Sequence, residues 1–159
     1  MKKNLIIYLI MRFVIFLYSF LLIKVTLFKY SLRDIKRHFS MDYTWENLIK
    51  NSNFIPFKTI RLFLEAEYLV NSAKNIIGNV VIFVPFGFLF PLFFSKLKVG
   101  PLFCIALATS LLIEFVQLFA LLGSFDVDDI ILNIFGAILG FIAFFLLEKM
   151  NILHHFAKR

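Results

Sequence analysis

Glu114 stands inside an apolar run, with Ser110 four residues before it and Gln117 three residues after it. In a helix that spacing places all three side chains on one face. A carboxyl held there could carry a proton or donate a hydrogen bond, which makes Glu114 the candidate acid or base of any catalysis. A second set, Asp126, Asp129, Asn133, Gly136 and Gly140, is spaced three, four, three and four, again one helical face. Asp128 adds another carboxyl to its acidic start. Asn75 and Asn79 form a third set, four apart, with Gly78 between them. The three aspartates could take a hard cation through oxygen ligands. Their plainer role is to cap a helix N-terminus and complement its dipole.

Other chemistries find little support. His38 lies in a loop, and His154 and His155 lie in a basic tail, where solvation explains them better than metal ligation does. Cys104 is the single cysteine, so an intrachain disulfide is excluded and a cysteine metal site is unsupported. The chain shows no nucleophile–histidine–acid arrangement and no phosphate-binding loop. Neither a metal nor a cofactor is expected.

The elements that carry these residues are apolar beyond what a water-soluble protein can bury. Of 159 residues, 61% are hydrophobic and 23 are phenylalanine, against about 45–50% apolar residues in soluble domains. A spanning helix needs about 20 mostly apolar residues. Four stretches qualify, at residues 5–28, 76–95, 99–122 and 127–147. The fold class expected is an all-α integral membrane protein, a four-transmembrane-helix bundle forming a single membrane domain over 1–159. Arg12 and Lys24 interrupt the first span, and both can snorkel to the interface. Lys2 and Lys3 followed by an apolar run suggest an uncleaved signal anchor, because no small-residue cleavage site follows.

Residues 29–75 are more polar. They hold Arg33, Asp34, Lys36 and Arg37, then Trp45, then Asn53-Phe54-Ile55-Pro56-Phe57. Residues 59–70 mix apolar and charged side chains in the manner of a short amphipathic helix lying at the interface. Trp45 and Tyr68 suit interfacial anchors. Basic residues beside apolar stretches set orientation, so the net charge of +7 argues for a lipid bilayer as partner and not for nucleic acid. Lys96 and Lys98 place the second turn in the cytoplasm. The acidic turn at residues 123–129 has no basic residue and faces outward. Both basic termini then lie inside, as an even number of spans requires. The first loop dissents, with eight Lys or Arg against five Asp or Glu, but the rule weakens as loops lengthen.

With this orientation, Asn75, Asn79, Glu114, Gln117, Asp126, Asp128, Asp129 and Asn133 fall in one outer layer. Glu114 lies about eight residues, or roughly 12 Å, below the outer end of its span. A charge at the bilayer centre costs about 3 kcal/mol, so these residues imply a polar pocket open to the outer side. Their plainer reading is glue between helices, at about 0.6 kcal/mol per interhelical hydrogen bond. Pro85 withholds a backbone donor from the carbonyl of Val81, and Pro91 repeats this further along. Gly78, Pro85, Gly87, Gly136 and Gly140 are expected at helix packing contacts, Gly136 and Gly140 forming a GxxxG.

These residues together resemble the VanZ-like family. The resemblance is carried by residues 54–60 (FIPFKTI), 75–79 (NIIGN) followed by 83–87 (FVPFG), 113–117 (IEFVQ), and 125–129 (FDVDD) leading to Asn133-Ile134-Phe135-Gly136 and Gly140. It covers about Asn53 to Leu147. Many relatives place an arginine just before the acidic turn, where Gly123-Ser124-Phe125 has none. The resemblance implies a bacterial cytoplasmic-membrane protein. It also implies reduced susceptibility to teicoplanin-type glycopeptides, by a route separate from altered peptidoglycan precursors. Three readings follow. One is a non-enzymatic protein that alters access of a lipophilic glycopeptide to the outer leaflet. Another is a membrane-embedded enzyme acting on a lipid-linked envelope intermediate, with Glu114 as acid or base and Asp128 or Asp129 orienting substrate or metal. The third is a small transporter or flippase, as a homodimer through Gly136 and Gly140.

Overall fold

A computed structural model describes residues 2–27, 44–65, 69–94, 97–120 and 122–150. The charged part of the first loop, His38, Tyr68, Lys96 and the basic tail with His154 and His155 lie outside these residues. In chain order the helices are α1 (Lys2–Leu27), α2 (Trp45–Lys50), α3 (Lys58–Glu65), α4 (Leu69–Phe93), α5 (Val99–Phe119) and α6 (Val127–Lys149). Four stretches are long and apolar enough to cross a membrane: Leu9–Thr26, Asn75–Phe93, Val99–Phe119 and Val127–Lys149. Among the described residues the protein is all-helical, and it is a multi-pass membrane protein.

Each spanning helix buries one stripe and leaves the rest for lipid. On α1 the stripe is Tyr18, Leu22 and Thr26, spaced by four, while Phe13, Phe16 and Phe20 stay exposed. On α5 it is Leu102, Ala106, Ser110, Glu114 and Gln117. That stripe begins apolar and ends polar, so one helix contributes to the hydrophobic core at one end and to a polar layer at the other. The core joins Tyr18, Leu22, Phe83, Phe86, Leu102, Ala106 and Ala137.

The closest pair is α4 with α6. A Cβ on Gly87 would collide with the carbonyl oxygen of Ala137; one on Gly136 would strike that of Val80, and one on Gly140 that of Val84. The two backbones therefore touch, which only small residues permit. The GxxxG face is filled by α4 of the same chain, so a homodimer through Gly136 and Gly140 would have to displace α4. Gly78 departs from the packing role expected of it. A Cβ there would meet nothing among the described residues within 4 Å.

Pro85 and Pro91 both lie within the continuous helix α4. One residue beyond the carbonyl that Pro85 leaves without a donor, the carbonyl of Ile82 accepts from the Tyr18 hydroxyl at 2.8 Å. Helix α4 begins seven residues before the span expected from residue 76. Nothing between Leu69 and Asn75 is Gly or Pro, so the helix continues past the apolar stretch. The expected amphipathic helix over 59–70 is correspondingly shorter: it is α3, and Leu69 and Val70 belong to α4.

Residues 44–65 sit on the end of the bundle where α5 finishes and α6 begins. The Trp45 ring lies 5.5 Å from that of Phe119, and Phe54 stacks on Phe125 at 5.2 Å. Asn53 pairs with Asp126 in an isolated parallel bridge. Trp45, Ile49, Phe54, Ile55, Phe57, Leu62 and Leu64 nevertheless remain exposed, giving this cap an apolar surface beside the spans.

Candidate functional site

The acidic turn sends its three carboxylates to three different tasks. Asp126 is the N-cap of α6 and accepts from the backbone N–H of Asp128 at 2.9 Å. Its side chain also accepts from Asn53 Nδ2 at 2.9 Å. This is the capping role that an aspartate at a helix start performs.

Asp128, fully buried, reaches the opposite way into the first loop. It accepts from the backbone N–H groups of Phe57, Thr59 and Ile60, the last two at 2.7 and 3.1 Å. These are donors at the start of α3, which have no acceptor within that helix. Asp128 thus caps a helix seventy residues away in sequence. Phe57 has a φ of 66°, a left-handed conformation that costs a non-glycine residue roughly 1–2 kcal/mol. The bond to Asp128 offsets that cost. Asn53 fastens the same segment: its backbone bonds Phe125 and Val127 at 2.7 and 3.0 Å. Its Oδ1 accepts from Ile55 at 3.0 Å, and its Nδ2 donates to Thr59 Oγ1 at 3.0 Å.

Asp129 faces a cavity of about 360 Å³. Its carboxylate accepts from the side-chain amide of Asn79 on α4. Around the same cavity α4 contributes Asn75, Gly78 and Ile82; α5 contributes Ile113, Glu114 and Gln117; and α6 adds Asn133. Helix α1 closes it with Lys24, Val25 and Thr26. Glu114 and Asn133 are 2% and 3% exposed, so these two groups are withdrawn from water and lipid alike.

The hydrogen bonds within this layer follow one pattern. Gln117 Nε2 donates to the backbone carbonyl of Thr26 at 2.8 Å, Asn133 Nδ2 donates to Ser110 Oγ at 2.8 Å, and Asn79 Nδ2 donates to Asp129. Each amide directs a donor to a protein acceptor. Glu114 Oε2 accepts from the backbone N–H of Asp126 at 2.9 Å, which links the cavity to the α6 cap. Among the described residues, Asn133 Oδ1 is buried with no hydrogen-bond partner. Such a group costs about 1–3 kcal/mol.

Of the polar residues singled out from the sequence, Asn75, Asn79, Glu114, Gln117, Asp129 and Asn133 line this cavity. Asp126 and Asp128 are spent on the cap, so Asp128 is not placed to orient a substrate or a metal there. Among the described residues no three His, Cys, Asp or Glu side chains form a metal-holding group. Sequence reasoning missed Asn53 and the contribution of α1. Asn53 stands just before the FIPFKTI segment that carries part of the family resemblance, which could have drawn attention to it. The Thr26 contact is made through a backbone carbonyl, which carries no residue signature.

A helical bundle with a buried, partly unsatisfied polar cavity beside one end of its spans defines a membrane protein with a candidate ligand site. Its sequence matches the family VanZ/LLP1 over residues 13–148, and the chain belongs to that family. Protein VanZ of Enterococcus faecium is 37% identical over 67 residues, which are 42% of this chain and 42% of that protein. The chain thus matches less than half the length of that relative. No solved structure matches.

Proposed function

We propose that the cavity is a ligand-binding pocket facing the outer side of a bacterial cytoplasmic membrane. Through it the protein reduces susceptibility to teicoplanin-type glycopeptides by altering their access to the outer leaflet. The observation that carries this reading is the convergence of Asn79, Glu114, Gln117, Asp129 and Asn133 on one cavity with a polar atom left over. Glue between helices would leave every group matched. The family membership supports the envelope setting, and the basic residues before α5 and the acidic turn before α6 favour this orientation.

The test is glycopeptide susceptibility in a sensitive host, with wild type and Glu114→Gln at matched membrane levels. Gln keeps an oxygen that can accept from Asp126 N–H and removes the titratable group. Teicoplanin is compared with vancomycin, which lacks the lipid tail. Wild type should protect against teicoplanin more than vancomycin, and Glu114→Gln should lose most of that protection. Equal protection by both proteins would remove the cavity from the mechanism. No protection by either would remove the resistance role.

A further inference from the structure

The apolar surface of the cap continues the surface that a span shows to lipid. On α5 the exposed Leu112, Phe115 and Phe119 are spaced three and four, which places them on one face. Ring contacts carry that face onto the cap. Phe115 meets Phe119 at 6.4 Å and Phe125 at 5.9 Å. Phe119 in turn meets Trp45, and Phe125 stacks on Phe54. Phe115 stands about one turn inside the end of α5, so two ring contacts tie Phe54 to the last turn of a span.

The backbone of the cap points the same way. Phe54, Ile55 and Phe57 are 63%, 62% and 62% exposed, and a loop standing in water could leave its N–H groups to water. Here the protein satisfies them. Pro56 has no N–H, and of the other residues from Asn53 to Arg61 all but Phe54 donate theirs to protein acceptors. Irregular backbone is tolerated at membrane depth only where its polar groups are met from within the protein. In α3, spacing puts Lys58, Arg61 and Glu65 on one face and Ile60, Phe63 and Leu64 on the opposite one, the pattern of a helix that lies between headgroups and acyl chains. We infer that residues 44–65 are seated in the leaflet at this end of the bundle, with Phe54-Ile55-Pro56-Phe57 among the acyl chains. The partner of this surface is lipid hydrocarbon, and the seat does not depend on what the cavity binds.

Trp45 is the chain's single tryptophan, so the full protein reports on the cap without substitution. It is placed in phosphatidylcholine nanodiscs, which leave both membrane faces open to solutes. The loop itself is read by Ile55→Trp and, separately, by Phe57→Trp, each combined with Trp45→Phe. Fluorescence quenching by phosphatidylcholine brominated in the upper half of its acyl chains is compared with quenching by aqueous iodide. Each loop tryptophan should emit to the blue of tryptophan in water, lose most of its emission to the brominated lipid and lose little to iodide. Wild-type Trp45 should also be quenched by the brominated lipid. Strong iodide quenching without loss to the brominated lipid, at either loop position, puts the loop in water and overturns the seat. Loss to neither quencher overturns it in favour of burial against another protein surface. Should the loop variants fail to fold, wild-type Trp45 still decides, since quenching there by iodide alone overturns the seat.

Discussion

Asp128 and Asp129 are neighbours in sequence, yet their carboxylates serve regions built on opposite terms. In the cap, the carboxylate of Asp128 meets three backbone donors and Asn53 binds both Asp126 and Thr59. In the cavity, Asp129 meets a side-chain amide, open volume lies beside it, and Asn133 Oδ1 has no partner among the described residues. The cap therefore behaves as a fastener, whereas the cavity is where we propose that a ligand is received. The difference teaches that residue type alone does not separate the two roles. What separates them is the surroundings of each carboxylate: backbone N–H groups of one segment around Asp128, a side-chain amide and open volume beside Asp129.

The contrast between filled and open space can be broken most severely at the glycines. Gly140→Val should cost more than 3 kcal/mol, since its Cβ would occupy the position of the Val84 carbonyl and α4 cannot withdraw without unpacking. Gly78→Leu should leave stability within about 0.5 kcal/mol. Thermal unfolding of the two variants in detergent measures both. Similar losses for the two would mean that α4 presents no open face to the cavity.

Next in size is the cap. Asp128→Ala should cost about 3 kcal/mol, because three backbone N–H groups lose their acceptor together. The loss should appear first as protease cleavage within residues 53–65, before the spans unfold. Asn53→Ala should follow at about 1–2 kcal/mol, with the same cleavage pattern, since it removes the side-chain bonds to Asp126 and Ile55 but leaves Asp128 in place. Intact resistance of this segment in both variants would show that Asp128 does not hold it.

The smallest effect on stability should come from the cavity, where the largest effect on function is expected. Glu114→Gln should change unfolding by about 1 kcal/mol or less, because an acceptor for Asp126 N–H survives. A loss of protein comparable with that of Asp128→Ala would reclassify Glu114 as part of the fastener.

Much of the cavity was legible in the sequence because helices turn spacing into direction. The four-and-three spacing of Ser110, Glu114 and Gln117 and of Asp129, Asn133, Gly136 and Gly140 identified the buried faces of α5 and α6. The same geometry separates Asp128 from its neighbours, since it falls off the face shared by Asp129 and Asn133. The cap was harder to foresee. Its bonds run from side chains to backbone N–H groups, and every residue but proline offers one of those. The glycine contacts were half visible: the GxxxG spacing marked a close approach but not that α4 would fill it, and Gly78 shared its residue type without sharing its surroundings.

The bond from Asp128 to the start of α3 also sets an order of assembly. The residues that shape the first loop are made early and their acceptor late, after two further spans have been threaded into the bilayer. Until α6 emerges, the N–H groups of Phe57, Thr59 and Ile60 have only water or headgroups to turn to. The arrival of the last span is then the event that latches the loop, so a chain arrested before residue 126 would carry α1, α4 and α5 beneath an unfinished lid.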